Sequence, residues 1–137
     1  ADMARHYAEF FPESIKKVSM SIQTEIHGRI LIIRPEGILN KAISSELEEL
    51  LTNELDEGFR LIIFDFSLVN QISSDGLRVI LHLVNEVRSL GGDVSVTGMQ
   101  EQVQIALEVA GFFKLIDSFP GIDAAIESLL EIDEDSE

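Results

Sequence analysis

The sequence predicts an α/β domain, in which β-strands alternate with amphipathic helices around a mixed sheet. Short apolar runs, typical of strands, alternate with segments whose apolar residues recur at helical spacing. Two segments of alternating polarity, residues 22–26 and 29–34, indicate an N-terminal antiparallel hairpin. We therefore expect a mixed sheet of four to five strands, the hairpin followed by parallel βαβ units, with about four helices packed on it.

The first predicted elements are this hairpin and one helix. His27 and Gly28 separate the two strands as a tight turn, and the Pro-Glu-Gly of residues 35–37 closes the second strand. Leucines at helical spacing over residues 41–55, with acids on the opposite face, predict an amphipathic helix that ends near Gly58.

The later elements continue the alternation. Residues 61–66 form the short apolar run expected of a central strand that is covered on both faces, and a polar loop follows it. The remaining elements are a helix from residue 74 to about residue 90, a strand at 93–97, a helix at 101–110 and a last helix at 123–130.

The 137 residues correspond to one domain, which we place at residues 21–130. Residues 1–20 form an N-terminal appendage, where Tyr7, Phe10 and Phe11 share a helical face before Pro12. This appendage either packs on the domain or supports a homodimer, so the oligomeric state stays open. Residues 131–137 form an acidic tail.

Composition excludes several classes of protein. The chain has no cysteine, which excludes disulfide scaffolds, thiolate metal sites and cysteine nucleophiles. Ten Lys and Arg against 25 Asp and Glu give a net charge of −15, which repels nucleic-acid backbones. No apolar run approaches the length of a membrane helix, and no signal-peptide pattern is present, so we expect a cytoplasmic protein without membrane insertion.

The usual enzyme motifs are missing. The glycines form neither a dinucleotide-binding fingerprint nor a phosphate-binding loop, and His6, His27 and His82 lack metal-ligand spacing. The segment at residues 72–76 lacks the first glycine of a hydrolase nucleophile elbow. We therefore expect no catalytic residue, no metal and no cofactor.

The Ser73-Ser74-Asp75-Gly76 junction before the second helix has two interpretations. Serine is a preferred N-cap, since its hydroxyl oxygen accepts the unpaired amide protons of a first turn. The same amides and the positive end of the helix dipole would also stabilise a phosphate on the hydroxyl. Arg78 lies four residues after Ser74, in position to pair with that phosphate.

These residues resemble a known family. Residues 61–76, LIIFDFSLVNQISSDG, followed by LRVILHLV, are similar to the signature of the STAS domain, the family of anti-sigma factor antagonists. The order of elements is similar over residues 21–130, and the segments at 35–42 and 106–117 also resemble the family. The resemblance implies the STAS fold.

In the sigma-regulatory branch of this family, the antagonist binds an anti-sigma factor that is also a serine kinase. The resemblance implies that the kinase phosphorylates the antagonist and ends binding, and that a serine phosphatase restores it. The serine that aligns is Ser74, with Ser73 as second choice. The implied partner-binding residues are Asn70, Gln71, Ser73, Ser74, Asp75 and Arg78.

The chain departs from the family pattern at three positions. Members often have aspartate at the start of the first helix and before the phosphoserine, where this chain has Asn40 and Ser73. Asp75 occupies a position that is often small, and its charge either weakens kinase recognition or partly mimics phosphoserine.

Two other functions stay open. The first is a constitutive interaction module that is never phosphorylated, such as an accessory subunit of a lipid-transport or signalling complex. The second is a small anion or nucleotide binder that uses the helix N-terminus, for which only Arg78 and Lys41 offer nearby positive charge.

Overall fold

The computed structural model describes the backbone of residues 15–17 and 21–135 and the side chains of residues 21–131. The appendage predicted around Tyr7 lies outside these residues. The strands are β1 (Ile15–Lys17), β2 (Ile22–His27), β3 (Ile30–Pro35), β4 (Gly37–Leu39), β5 (Leu61–Asp65), β6 (Val69–Ile72), β7 (Asp93–Thr97) and β8 (Asp117–Phe119). The helices are α1 (Lys41–Asp56), α2 (Ser74–Ser89), α3 (Glu101–Val109) and α4 (Ile122–Asp135), with a 3-10 turn at Phe112–Lys114.

The main sheet is mixed and has the strand order β1-β2-β3-β5-β7-β8. The pairs β1-β2 and β2-β3 are antiparallel, and the pairs from β3 to β8 are parallel. This confirms the α/β class, the hairpin, the parallel units and the central position of β5. In the described residues the main sheet has six strands, because β1 and β8, of three residues each, extend the predicted mixed sheet at its two sides. Since β1 pairs with β2, the sheet begins before residue 21.

Both faces of the sheet are covered, which explains why β5 is buried along its whole length. Side chains such as Ile62 and Phe64 face the core shared with α1, α2 and α3. Leu61 and Ile63 point to the other face and pack with Leu129 of α4. Alternate residues of one strand therefore serve two separate cores, as expected for a central parallel strand. No helix in the described ranges combines the length and apolarity needed to span a membrane.

The prediction of a polar loop after β5 is wrong for residues 69–72. These residues form β6, which pairs in parallel with β4 as a separate two-stranded sheet. Val69 is fully buried and anchors the strand, whereas Asn70 and Gln71 are exposed, and this polarity produced the loop prediction. The Gly37 N–H donates to the Leu68 carbonyl at 2.8 Å and extends the contact between the two segments.

A buried ion pair joins β3 to β5 at their carboxyl ends. Arg34 Nε donates to Asp65 Oδ2 at 2.7 Å, and Asp65 is 4% exposed. The other carboxylate oxygen accepts from the Ser67 N–H at 3.0 Å and so fixes the chain that leads into β6. Because its carboxylate is paired and hydrogen-bonded, Asp65 is tolerated inside the sheet. Loss of Arg34 would leave this carboxylate uncompensated, whereas loss of Asp65 would leave Arg34 with only the longer contact to Glu25, at 3.9 Å.

We expect Asp65→Ala to lower the free energy of unfolding by about 3 kcal/mol, because Arg34 loses the closer of its two carboxylate partners and keeps only Glu25, at 3.9 Å. Urea denaturation measures this change, and Glu49→Ala, on the exposed face of α1, is the control with an expected effect within about 0.5 kcal/mol. The double variant Arg34→Leu/Asp65→Leu should recover part of the loss. Equal effects of Asp65→Ala and Glu49→Ala would contradict a structural role for the pair.

Candidate functional site

Ser73 is the N-cap of α2. Its backbone is extended, with φ −89° and ψ 169°, and its Oγ accepts from the Gly76 N–H at 3.1 Å. The same Oγ and the Ser73 N–H both donate to the Leu39 carbonyl of β4, each at 3.1 Å. Both functions of the Ser73 hydroxyl, as donor and as acceptor, are therefore used to hold the start of α2 against β4.

Ser74 is the first residue of α2, and its side chain is exposed. Within the described residues its hydroxyl has no hydrogen-bond partner, and neither do the N–H groups of Ser74 and Asp75. The two roles that the sequence left open at this junction are therefore divided between neighbours. Ser73 is the cap, and Ser74 offers an unengaged hydroxyl beside the unpaired amides of a helix N-terminus.

Gly76 is required because the start of α2 lies directly against the β4 backbone. A Cβ on Gly76 would be 2.1 Å from the Leu39 carbonyl oxygen and 3.0 Å from its carbon. No side chain can be accommodated unless the helix moves away from β4. The Ser-Ser-Asp-Gly sequence thus combines a cap, an exposed hydroxyl and a close backbone contact within four residues.

Asp75 and Arg78 are the charged residues in the first two turns of α2, one and four residues after Ser74. Arg78 Nη1 lies 3.7 Å from Asp75 Oδ1, and the two side chains are 79% and 53% exposed. An ion pair this exposed contributes little to stability, so Arg78 is free to turn to another anion. His82, one turn further along, lies 3.5 Å from Glu86 instead.

Asn70 and Gln71 are exposed on β6, next to a pair of glutamines that the sequence analysis missed. Gln102 Nε2 donates to the Asn70 carbonyl at 3.0 Å and to Gln100 Oε1 at 2.9 Å. Gln100 Nε2 donates to the Ser67 carbonyl at 3.2 Å and lies 3.4 Å from Asn70 Oδ1. The start of α3 is thereby attached to β6. The contacts of Gln100 and Gln102 with Ser67 and Asn70 join residues about thirty positions apart in the sequence. No local sequence pattern could therefore have predicted them.

Two exposed apolar side chains, also missed, lie beside the polar residues. Ile38 of β4 is 48% exposed and pairs in register with Gln71. Leu68, which is 38% exposed, precedes β6. For Ile38 a weak signal exists, since alternation in a strand points it away from the buried Leu39. The predicted polar residues therefore have an apolar border.

The structure places the six predicted residues at the carboxyl edge of the parallel strands. Asn70 and Gln71 lie on β6, Ser73 caps α2, and the other three belong to its first turns. Asn40 is itself a cap, because its Oδ1 accepts from the Ile43 N–H at 3.2 Å at the start of α1. The side chains described include no group of three or more His, Asp and Glu that could hold a metal ion.

A cavity of about 680 Å³ lies at the opposite edge, and Arg29, Arg60 and Arg88 contribute to its lining. Arg60 Nη1 donates to the carbonyls of Leu55 and Phe59 at 2.9 and 2.7 Å. Arg88 donates to the Leu115 carbonyl and lies 3.4 Å from Asp93. Arg60 therefore compensates the negative carboxyl end of α1. Arg60 and Arg88 both have structural hydrogen bonds, which explain their presence at this cavity.

The sequence matches the family described as "STAS domain" over residues 21–125. A proposed anti-sigma factor antagonist, BtrV of Bordetella bronchiseptica, is 30% identical over 86 residues, which are 63% of this chain and 74% of BtrV. The anti-sigma F factor antagonist of Paenibacillus polymyxa is 25% identical over 121 residues, 85% of this chain and 97% of that protein.

The structure is also similar to SpoIIAA, an anti-sigma factor antagonist. The unphosphorylated form gives a TM-score of 0.71 at 18% identity and covers 81% of this chain and 97% of SpoIIAA. The phosphorylated form of the Bacillus protein gives 0.64 at 17% identity, with coverages of 79% and 98%. Structural similarity at 17–18% sequence identity shows only that the folds are alike. This shared fold agrees with the resemblance to the STAS signature at residues 61–76.

We expect Ser73→Ala to lower the free energy of unfolding by about 1–2 kcal/mol, because α2 loses its cap and the Leu39 carbonyl loses one donor. Ser74→Ala is the matched control and should change it by less than about 0.5 kcal/mol, since its hydroxyl has no partner. Thermal and urea denaturation of both variants test this difference. A larger loss for Ser74→Ala would reverse the two roles.

Gly76→Ala should destabilise the protein by at least about 2 kcal/mol, because the new methyl group meets the Leu39 carbonyl. Helix propensity alone predicts the opposite sign, a gain of about 0.5–1 kcal/mol for alanine over glycine in a helix. The sign of the change in urea denaturation therefore separates the two effects. A stabilised Gly76→Ala variant would show that α2 does not lie this close to β4.

Proposed function

The chain belongs to the STAS domain family, and we propose that it is an anti-sigma factor antagonist switched by phosphorylation of Ser74. In this proposal an anti-sigma factor that is also a serine kinase binds at β6 and the start of α2. The observation that carries the proposal is the exposed, unengaged Ser74 hydroxyl beside a separate structural cap. The two relatives described above are named as anti-sigma factor antagonists, which supports the general role.

The hydrogen bonds favour Ser74 over Ser73 as the phosphate acceptor. Phosphorylation of Ser73 would remove the proton that its Oγ donates to the Leu39 carbonyl and would place a bulky dianion against β4. Phosphorylation of Ser74 breaks no side-chain hydrogen bond within the described residues. The kinase can therefore modify Ser74 while the start of α2 stays folded.

The phosphate changes the charge of the surface rather than the fold. It adds about −1.5 to −2 charges beside Asp75, and Arg78, four residues after Ser74, already lies 3.7 Å from Asp75. Arg78 can exchange the exposed Asp75 contact for the phosphate, a stronger charge-assisted bond. The anti-sigma factor must then desolvate a dianion beside the apolar Ile38 and Leu68, which weakens binding.

The full cycle requires a serine phosphatase that restores the unphosphorylated protein, and it takes place in the cytoplasm. The protein itself is a binding partner of the kinase and a substrate of both enzymes. It contributes no catalytic residue, metal or cofactor to either reaction.

Asp75 supports a second candidate, a constitutive interaction module. Its carboxylate is 53% exposed and adjoins Ser74, so the surface carries a permanent negative charge near the acceptor. If this charge prevents phosphorylation, the same surface binds its partner in one fixed state. The two candidates share the site and differ in whether Ser74 is modified.

Intact-mass measurement of the protein from its native cells, before and after phosphatase treatment, tests the switch directly. We expect a removable phosphate that fragmentation places on Ser74, that Ser74→Ala abolishes and that Ser73→Ala retains. Phosphate on Ser73 would contradict the assignment of the acceptor. An unmodified protein under every growth condition would establish the constitutive module.

Affinity for the anti-sigma factor that co-purifies with the chain, measured by calorimetry, tests the effect of charge. We expect Ser74→Glu to weaken binding at least tenfold, because the added carboxylate must be desolvated in the contact. Ser45→Glu, on the exposed side of α1, is the matched control and should leave affinity unchanged. Equal affinities of the wild type and Ser74→Glu would contradict a charge switch.

A further inference from the structure

The exposed face of α3 carries an apolar stripe that the domain itself does not cover. Ile105 is 53% exposed and Val109 is 84% exposed, whereas Val103 and Leu107 of the same helix are fully buried. Ile105 and Val109 are four residues apart and therefore adjacent on one side of the helix. Gln102 precedes Ile105 by three residues and lies on the same side.

The side of α3 that carries this stripe adjoins the predicted binding residues on β6. The side chain of Gln102 donates to the Asn70 carbonyl at 3.0 Å. The residue at the start of this side of α3 therefore contacts the predicted binding strand β6. Gln100 bridges the same two elements through the Ser67 carbonyl. These hydrogen bonds join the start of α3 to β6, so the side of α3 that carries Gln102 adjoins the predicted binding strand.

We infer that the anti-sigma factor contacts the Ile105 and Val109 stripe in addition to the start of α2. The inference rests on the proposed function and extends its binding site. A stable interface buries about 800 Å² on each partner and involves roughly 20–30 residues a side, with an apolar centre. The six predicted polar residues, with Ile38 and Leu68 beside them, make up only part of such a contact, and the stripe adds apolar area next to β6.

The charges around the stripe define the chemistry of the partner surface. Helix α3 has the sequence EQVQIALEV, which contains Glu101 and Glu108 and no lysine or arginine. The matching surface of the anti-sigma factor is therefore an apolar patch with a basic border. Since the stripe lies on α3 and the acceptor hydroxyl lies on α2, the stripe would hold the kinase without taking part in phosphate transfer.

The double variant Ile105→Ser/Val109→Ser tests the inference against Leu130→Ser, a matched control on α4, where Leu130 is 43% exposed on the opposite face of the sheet. The anti-sigma factor is first identified by co-purification with the chain and is then expressed separately. Calorimetry with this purified factor measures its affinity for each variant. We expect the double variant to bind at least tenfold more weakly and Leu130→Ser to bind as the wild type does. In phosphorylation assays KM for the antagonist should rise while kcat is retained.

The remaining outcomes are distinguishable. Unchanged affinity of the double variant, while Ser74→Glu still releases the partner, would overturn the inference and leave the proposed function intact. A wild-type dimer that the double variant dissociates would assign the stripe to a second copy of this chain and also overturn it. Failure of the wild type to bind would remove both proposals. Val109→Glu, at a position 84% exposed, repeats the test should the double variant fold poorly.

Discussion

The site depends on the contact between the Leu39 carbonyl and the first turn of α2. That oxygen accepts from both the N–H and the Oγ of Ser73, and Gly76 leaves room for the two backbones to meet. Three elements, β4, β6 and α2, are thereby fixed to one another at a single atom. Ser74 gains its exposure from this arrangement, because its neighbour satisfies the structural needs of the helix start.

Periodicity predicted the main fold because each buried strand and amphipathic helix has a pattern within its own residues. The β6 strand was missed because its partner β4 is distant in sequence and its exposed residues are polar. Composition also could not choose between Ser73 and Ser74 as the cap, since backbone angles decide that role. The six contact residues were predicted from the family resemblance and stay a prediction, whereas the contact of Gln102 with β6 and the exposed apolar residues of α3 became visible only in the tertiary structure.

Three arginines of this acidic chain are engaged in structural contacts. Arg34 compensates the buried Asp65, and Arg60 and Arg88 bond backbone carbonyls at the opposite edge of the sheet. Arg78 differs, because its contact with Asp75 is long and exposed. A phosphate at the start of α2 would therefore find a nearby guanidinium that can move without loss of stability.

The two short strands at the edges of the main sheet affect self-association. Unpaired backbone groups along a long edge strand form a template on which identical chains can add and aggregate. Here β1 and β8 have three residues each, and two of the three in β1 are lysines. Within the described residues the sheet therefore ends in edges of three residues each, which offer a second chain only a short length along which to add a strand.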